Sequence, residues 1–147
     1  MKRWLIRNIL LLYTSIIDIT GVADVTSEIY QNYDVSNQSI KPYSDNETTV
    51  VNLRKESYDV YIGRGSIYGN PFIIGKDGTR KEVVVKYYKW LIGKIVILGR
   101  KPPSRKDLKK LIGKRLGCFC KPKLCHGDAI IIRLRKLFGS ELLLLQV

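Results

Sequence analysis

The chain has 147 residues, 45% of them apolar, and carries a formal net charge of +13. This length suits one domain with a hydrophobic core plus flanking sequence, and the apolar fraction excludes an intrinsically disordered chain. The positive charge lies in residues 51–147, because residues 1–50 hold four basic and six acidic residues. A field of that sign attracts nucleic acid, nucleotides or an anionic membrane surface, although it also occurs on proteins that are merely basic and soluble.

The first twenty residues predict a helix that does not span a membrane. Their uninterrupted apolar run, residues 9–13, is far shorter than the roughly 20 residues that cross a bilayer. The run is also short for a secretory signal. The apolar residues recur at helical spacing, in the stripe Leu5, Ile9, Leu12 and Ile16. We expect this stripe to pack on the domain or on a second copy of the chain, which would make a homo-oligomer.

Residues 31–47 are polar, with several Asn, Ser and Asp and one proline, a composition typical of a linker. We therefore divide the chain into an N-terminal extension of helix plus linker, residues 1–47, and a domain, residues 48–147.

Strands and helices alternate in the pattern of the domain. Short β-branched or alternating runs predict strands at residues 48–53, 58–62 and 114–120. Helical spacing and capping signals predict helices at residues 80–93, 105–112 and 124–138, and the apolar tail 141–147 is expected to be an edge strand or a packing segment. This order predicts a small single α/β domain whose parallel or mixed sheet is flanked by helices, preceded by an N-terminal helical extension.

A glycine-rich loop follows the second predicted strand, and a parallel sheet binds ligands where its strands end. Glycine lets backbone N–H groups approach a ligand, and a guanidinium matches the geometry of phosphate. Arg80 stands in the first turn of a helix, where a positive charge needs an anion or an acidic partner such as Asp77. Asn70 either fixes the loop or presents its amide to a ligand. The predicted ligand-binding residues are Gly63, Arg64, Gly65, Asn70, Thr79 and Arg80.

All three cysteines and the sole histidine lie within residues 118–126. Their odd number and close spacing argue against a disulfide scaffold and for a reducing compartment, the cytoplasm of the cell or of a viral host. We expect Cys125 to be a thiolate of lowered pKa at a helix N-terminus, with His126 as base and Asp128 as its orienting group. Two alternatives stay open: buried structural thiols, and a turn that binds an anion without catalysis.

The set Cys118, Cys120, Cys125 and His126 also offers four ligands to zinc. The spacing is unfavourable, because structural zinc sites usually separate paired ligands by two or more residues. Adjacent side chains on a helix also point about 100° apart. We therefore expect no metal and no other cofactor, with zinc as the alternative.

A second partner is suggested by a basic stretch that follows the first helix. Its residues Arg100, Lys101, Arg105, Lys106, Lys109 and Lys110 could contact a nucleic-acid backbone, with Tyr87, Tyr88 and Trp90 as stacking groups. Aromatic residues at helical spacing are, however, more often part of a core.

The domain resembles a family known as domain of unknown function 4326. The resemblance spans about residues 48–137 and rests on the motifs VYIGRG (60–65), GNPF (69–72), DGTR (77–80), GCFCKP (117–122) and CHGD (125–128), which occur in this order. It implies a small α/β domain in a viral or mobile-element setting, in phages or archaeal viruses, and it carries no function that can be transferred.

These observations predict a viral or mobile-element protein whose pocket binds a nucleotide or the phosphate of a nucleic acid. A nucleotide-processing enzyme is one interpretation of the pocket. The alternative is a non-catalytic, basic nucleic-acid-binding module, and a third interpretation is a virion or host-interaction protein with a vestigial pocket.

Overall fold

The computed structural model describes residues 33–34, 39–40 and 48–144, and the side chains of residues 48–139. The predicted N-terminal helix and its proposed contact with a second copy lie outside the described residues. None of the helices in the described part of the chain is both long and apolar enough to cross a bilayer.

The described elements follow the predicted order with shorter strands. They are β1 (Tyr33–Asp34), β2 (Ser39–Ile40), β3 (Thr49–Asn52), β4 (Val60–Tyr61), α1 (Arg80–Leu91), α2 (Arg105–Lys109), β5 (Arg115–Cys118) and α3 (His126–Leu144). Strands β1 and β2 pair antiparallel inside the segment predicted to be a linker. Residues 141–144 are helical, so the prediction of an edge strand in the C-terminal tail is wrong for these residues.

Strands β3, β5 and β4 form a parallel sheet in that order, which confirms the α/β class. Strand β5 is central although it comes last in the chain, and its Leu116 pairs with Val50 on one side and Val60 on the other. Because all three strands run the same way, their carboxyl ends meet at one edge of the sheet. The glycine-rich loop and the cysteine cluster therefore begin side by side.

The connection between β3 and β4 passes over β5 at a glycine. A Cβ atom on Gly117 would lie 2.6 Å from Cγ of Tyr58, so no larger residue fits beneath this ring. The opposite layer is formed by α1 and α3, which pack against each other. Their contact buries the apolar residues of both helices, among them Val84, Tyr87, Trp90, Ala129, Ile130 and Leu134.

Both predicted N-terminal caps are confirmed. Thr79 accepts a hydrogen bond from the backbone of Glu82, whose carboxylate accepts one from the backbone of Thr79 in return. Ser104 and Asp107 form the same reciprocal pair at α2. These capping boxes satisfy N–H groups that a helix leaves unbonded, and so they determine where α1 and α2 begin.

The N-terminus of α3 approaches the sheet at Gly127, which gives a test of the packing beneath the site. A Cβ atom there would lie 2.7 Å from Cγ2 of Val50 and 2.8 Å from Cδ1 of Ile62, whereas one on Gly139 of the same helix meets nothing within 4 Å. We expect Gly127→Ala to lower the free energy of unfolding by about 1–3 kcal/mol through overpacking. Gly139→Ala should raise it by up to about 1 kcal/mol. Urea denaturation measures both, and equal effects of the two substitutions would contradict this packing.

Candidate functional site

A cavity of about 360 Å³ opens at the carboxyl edge of the sheet. It is lined by residues of the glycine-rich loop, the start of α1 and the cysteine segment: Tyr61, Gly63, Arg64, Asn70, Phe72, Ile74, Arg80, Val83, Val84, Cys118, Phe119, Cys120, Leu124, Cys125 and His126. The two stretches singled out in the sequence therefore share one cleft. Of the residues predicted to bind or react, Gly65, Thr79 and Asp128 are not among the lining residues.

Arg64 lies on the wall of this cavity with an exposed side chain. In the part of the chain whose side chains are described, its guanidinium has no hydrogen-bond or ion-pair partner. Its charge acts on the cavity floor, where it helps to lower the pKa of His126. Arg64 thus brings an exposed positive charge to the wall of the cavity.

Asn70 is occupied by the loop itself. Its Oδ1 accepts a hydrogen bond from the backbone N–H of Phe72 at 2.9 Å, and its Nδ2 donates to the carbonyl of Val83 at 3.2 Å. These bonds tie the middle of the loop to α1. Asn70 therefore shapes the cavity wall, which is the first of the two roles considered for it.

Arg80 does not pair with Asp77. The Asp77 carboxylate accepts a hydrogen bond from the backbone of Ile73. Arg80 instead donates from Nη1 to the carbonyl of Leu124 at 3.3 Å. The pKa of the Cys120 thiol is lowered mainly by Cys118 and Cys125, and Arg80 contributes to the same shift. The partner of this unfavourably placed arginine is thus the cysteine segment, which a local sequence pattern could not reveal.

The N-terminus of α3 is built as a cap by Cys125 and Asp128. The Cys125 sulfur accepts a hydrogen bond from the N–H of Gly127, and the Asp128 carboxylate accepts one from the N–H of Cys125 at 2.9 Å. The other oxygen of Asp128 accepts from the ammonium of Lys121 at 2.7 Å, in an ion pair of which both members are buried. Asp128 therefore holds the turn, and it is not the group that orients His126.

The carbonyl of Ile62, at the end of β4, orients His126. Nε2 lies 2.8 Å from this oxygen, and because a carbonyl only accepts, Nε2 carries the proton. Nδ1 is then unprotonated and faces the sulfurs of Cys118 and Cys125, at 4.0 and 3.6 Å. Burial lowers the pKa of His126, which favours this neutral form.

Two of the three thiols are in direct contact, because the sulfurs of Cys118 and Cys125 are 3.1 Å apart. Interaction with these two thiols lowers the pKa of Cys120, while interaction with Cys120 raises the pKa of Cys118 to about 11. The pKa of Cys125 is raised by the neighbouring thiols of Cys118 and Cys120 and by burial. The lowered pKa expected for Cys125 is thus found instead at Cys120, the least buried of the three thiols.

The same cluster could hold a metal ion. Within the described side chains, one ligand atom each from Cys118, Cys125 and His126 lie within 4.8 Å of one another. The angular objection made from the sequence does not apply, because Cys125 precedes the first residue of α3 and is not part of the helix. The tertiary structure therefore makes the zinc alternative stereochemically reasonable.

Sequence reasoning missed the aromatic rim of the cavity. Tyr61 and Phe119 line it while 37% and 51% exposed, and their rings meet edge to face with centroids 6.4 Å apart. The guanidinium of Arg54 lies 5.0 Å from the centre of the Phe119 ring. The alternation of the second predicted strand could have indicated that Tyr61 is exposed, because its neighbour Ile62 is buried. No local pattern indicated that Phe119 would contact Tyr61.

The basic stretch lies largely on the surface, but its proposed stacking partners do not. Tyr87, Tyr88 and Trp90 are at most 1% exposed, so they cannot stack on bases and belong to the core. Arg100 donates to the carbonyl of Gly69 and lies over the Trp90 ring. All six basic residues of the stretch are exposed, Arg100 included.

The ion pair beneath the cysteine turn can be tested by removing one partner. We expect Asp128→Ala to lower the free energy of unfolding by about 3–5 kcal/mol, since it removes the carboxylate that is paired with the buried Lys121 ammonium. Lys123→Ala, at an exposed lysine of the same turn, is the control and should change it by less than about 0.5 kcal/mol. Chemical denaturation compares the two, and a loss below about 1 kcal/mol for Asp128→Ala would show that the pair is not structural.

Comparison with known proteins agrees with the motifs at this site. The family description "domain of unknown function (DUF4326)" matches residues 46–136. An uncharacterised 12.4 kDa protein from the nrdA-td intergenic region of enterobacteria phage T4 is 39% identical over 92 residues, which are 63% of this chain and 82% of that protein. No solved structure matches the chain. The match covers the whole cavity and more than half of the sequence, so the chain belongs to the DUF4326 family.

Proposed function

We propose that the cavity binds a small phosphate-bearing ligand of nucleotide size. The main observation behind this proposal is the guanidinium of Arg64, which has no partner among the described side chains. It lies on the wall of a cavity whose rim is aromatic. The volume of about 360 Å³ lies at the lower end of the range for small-molecule sites.

The charges of the site suit an anion. Arg64 supplies a guanidinium that has no partner among the described side chains, and Arg80 supplies a second one that is bound to the carbonyl of Leu124. Neither arginine has a carboxylate partner among the described residues. A phosphate could therefore bind Arg64 without displacing an existing ion pair, and a charge-assisted bond of this kind is stronger than a neutral one.

The apolar surface of the site suits a ring. Tyr61, Ile74 and Phe119 stay 37–51% exposed although they are large and apolar, and all three line the cavity. Exposed apolar patches often mark the binding site of a ligand or a partner. An aromatic wall beside an arginine is the combination that a nucleobase and its phosphate require.

The proposal concerns binding, and a reaction at this site stays a prediction. Cys125, His126 and Asp128 were predicted to be catalytic residues, and Cys125 and His126 line the cavity. The thiol for which the surroundings favour the thiolate is Cys120, which also lines it. Labelling of the protein with iodoacetamide at neutral pH would identify which of the three thiols reacts.

Removal of the Arg64 guanidinium tests the binding proposal. We expect Arg64→Ala to weaken the binding of nucleoside monophosphates or diphosphates by about tenfold or more, through loss of a charge-assisted hydrogen bond. Titration calorimetry with a panel of nucleotides, the matching nucleosides and inorganic phosphate measures this. Lys101→Ala, which removes an equal charge outside the cavity, should leave the affinity unchanged. The proposal would be overturned if none of these compounds, at millimolar concentration, bound to the wild type or to the variant.

A second candidate is favoured by the exposed basic stretch, which could bind the backbone of a nucleic acid without base stacking. In that case the logarithm of the affinity should fall linearly with the logarithm of the salt concentration. Lys101→Ala combined with Lys106→Ala should reduce this slope by roughly 2, because two phosphate contacts are lost. Arg64→Ala is the control here. Fluorescence anisotropy with single- and double-stranded oligonucleotides measures the slopes, and an unchanged slope in the double variant would exclude this surface.

A further inference from the structure

We propose that the floor of the cavity is a zinc site formed by the sulfurs of Cys118 and Cys125 and by Nδ1 of His126. This site would be one metal ion held at the junction of β5, the following turn and α3. It is independent of the phosphate-binding proposal, which rests on Arg64 and the aromatic rim of the cavity.

The separations between the ligand atoms fit one metal ion. A tetrahedral zinc ion with ordinary bond lengths holds two sulfurs about 3.8 Å apart and a sulfur and a nitrogen about 3.6 Å apart. The corresponding distances are 3.1 Å between the Cys118 and Cys125 sulfurs, and 4.0 and 3.6 Å from these sulfurs to Nδ1 of His126. Shifts of a few tenths of an ångström would bring all three to the metal.

The imidazole is already oriented as a metal ligand. Its Nε2 donates to the carbonyl of Ile62, so the lone pair of Nδ1 points at the sulfurs. A metal-binding histidine usually has its second nitrogen bonded to a carbonyl or carboxylate in this way, which fixes both the ring and the tautomer. The edge of the ring also packs against Tyr87, with centroids 5.1 Å apart. The ring is thereby held in place before any ion arrives.

The donor set favours zinc. Two sulfurs and one imidazole nitrogen suit zinc better than magnesium or calcium, which prefer oxygen ligands. Three protein ligands leave the fourth tetrahedral position to water or to a bound molecule. Binding converts the Cys118 and Cys125 thiols to thiolates and releases their protons to solvent. The two thiolates then balance the charge of the Zn²⁺ ion.

The site would also explain why the cluster is buried. Cys118, Cys125 and His126 are at most 6% exposed. If these positions served only the hydrophobic core, aliphatic side chains would fill them better. A metal there would join the end of the sheet to the start of α3. It would also occupy Cys125 and His126 as ligands, which leaves Arg64 and the aromatic rim for an organic ligand.

The experiment is metal analysis of the purified full-length chain. We expect about one zinc per chain by inductively coupled plasma mass spectrometry, and an X-ray absorption spectrum in which two sulfur ligands are joined by nitrogen or oxygen ligands. Cobalt substituted for zinc should give sulfur-to-metal charge-transfer bands of a tetrahedral site. The absorption measurements use the wild type, so they hold even where a ligand variant fails to fold.

Variants identify the ligands. Cys118→Ser, Cys125→Ser and His126→Gln should each lower the retained zinc by about tenfold or more after dialysis against a chelator, whereas Arg64→Ala should retain it. Retention of zinc by Arg64→Ala with loss of nucleotide binding separates the two proposals. A wild-type chain that takes up no zinc from excess metal, a spectrum without sulfur ligands, or stoichiometric binding of a different metal would overturn the zinc site.

Discussion

The hydrogen bond from His126 to the carbonyl of Ile62 is the contact on which the geometry of the site depends. It joins the first residue of α3 to the end of β4, two points 64 residues apart in the chain. The bond holds the start of the glycine-rich loop next to the cysteine turn at the base of the cleft. It also requires the imidazole proton to be on Nε2. With that tautomer, Nδ1 can only act as an acceptor or a ligand. An unprotonated nitrogen therefore faces the sulfurs of Cys118 and Cys125.

A second set of buried polar contacts keeps this arrangement rigid. Lys121 is paired with Asp128, while its own carbonyl accepts a hydrogen bond from Asn52 at the end of β3 at 2.6 Å. The turn after β5 is thus held to the sheet on one side and to α3 on the other. Sites that are built on fixed elements hold their side chains more precisely than sites on free loops. The floor of the cavity is therefore preorganised, whereas its aromatic and arginine-bearing mouth stays open to solvent.

Much of the architecture could be predicted from local patterns, because caps and apolar spacing act over a few residues. Thr79 and Ser104 begin their helices for the reason that the sequence suggested, and Tyr87 and Trp90 are buried as their spacing indicated. Long-range pairings were the weak point. The sequence suggested Asp77 as a partner for Arg80 and Asp128 as the orienting group of His126, and both choices took a charged residue that is close in the chain. The structure instead pairs Arg80 with the carbonyl of Leu124 and His126 with the carbonyl of Ile62, which the sheet and helices bring together.

By itself the sequence determined the class of the fold, the positions of its helices and the likeness to DUF4326, because these depend on spacing, on capping and on motifs within short segments. It also placed both informative stretches at the ends of parallel strands. Only the tertiary structure decided which atoms meet there: that Asn70 serves the loop, that Phe119 faces Tyr61, and that the sulfurs of Cys118 and Cys125 face Nδ1 of His126. The physical reason is that a hydrogen bond or a metal site requires atoms within a few ångströms, and this precision is set by packing between elements that are distant in the chain.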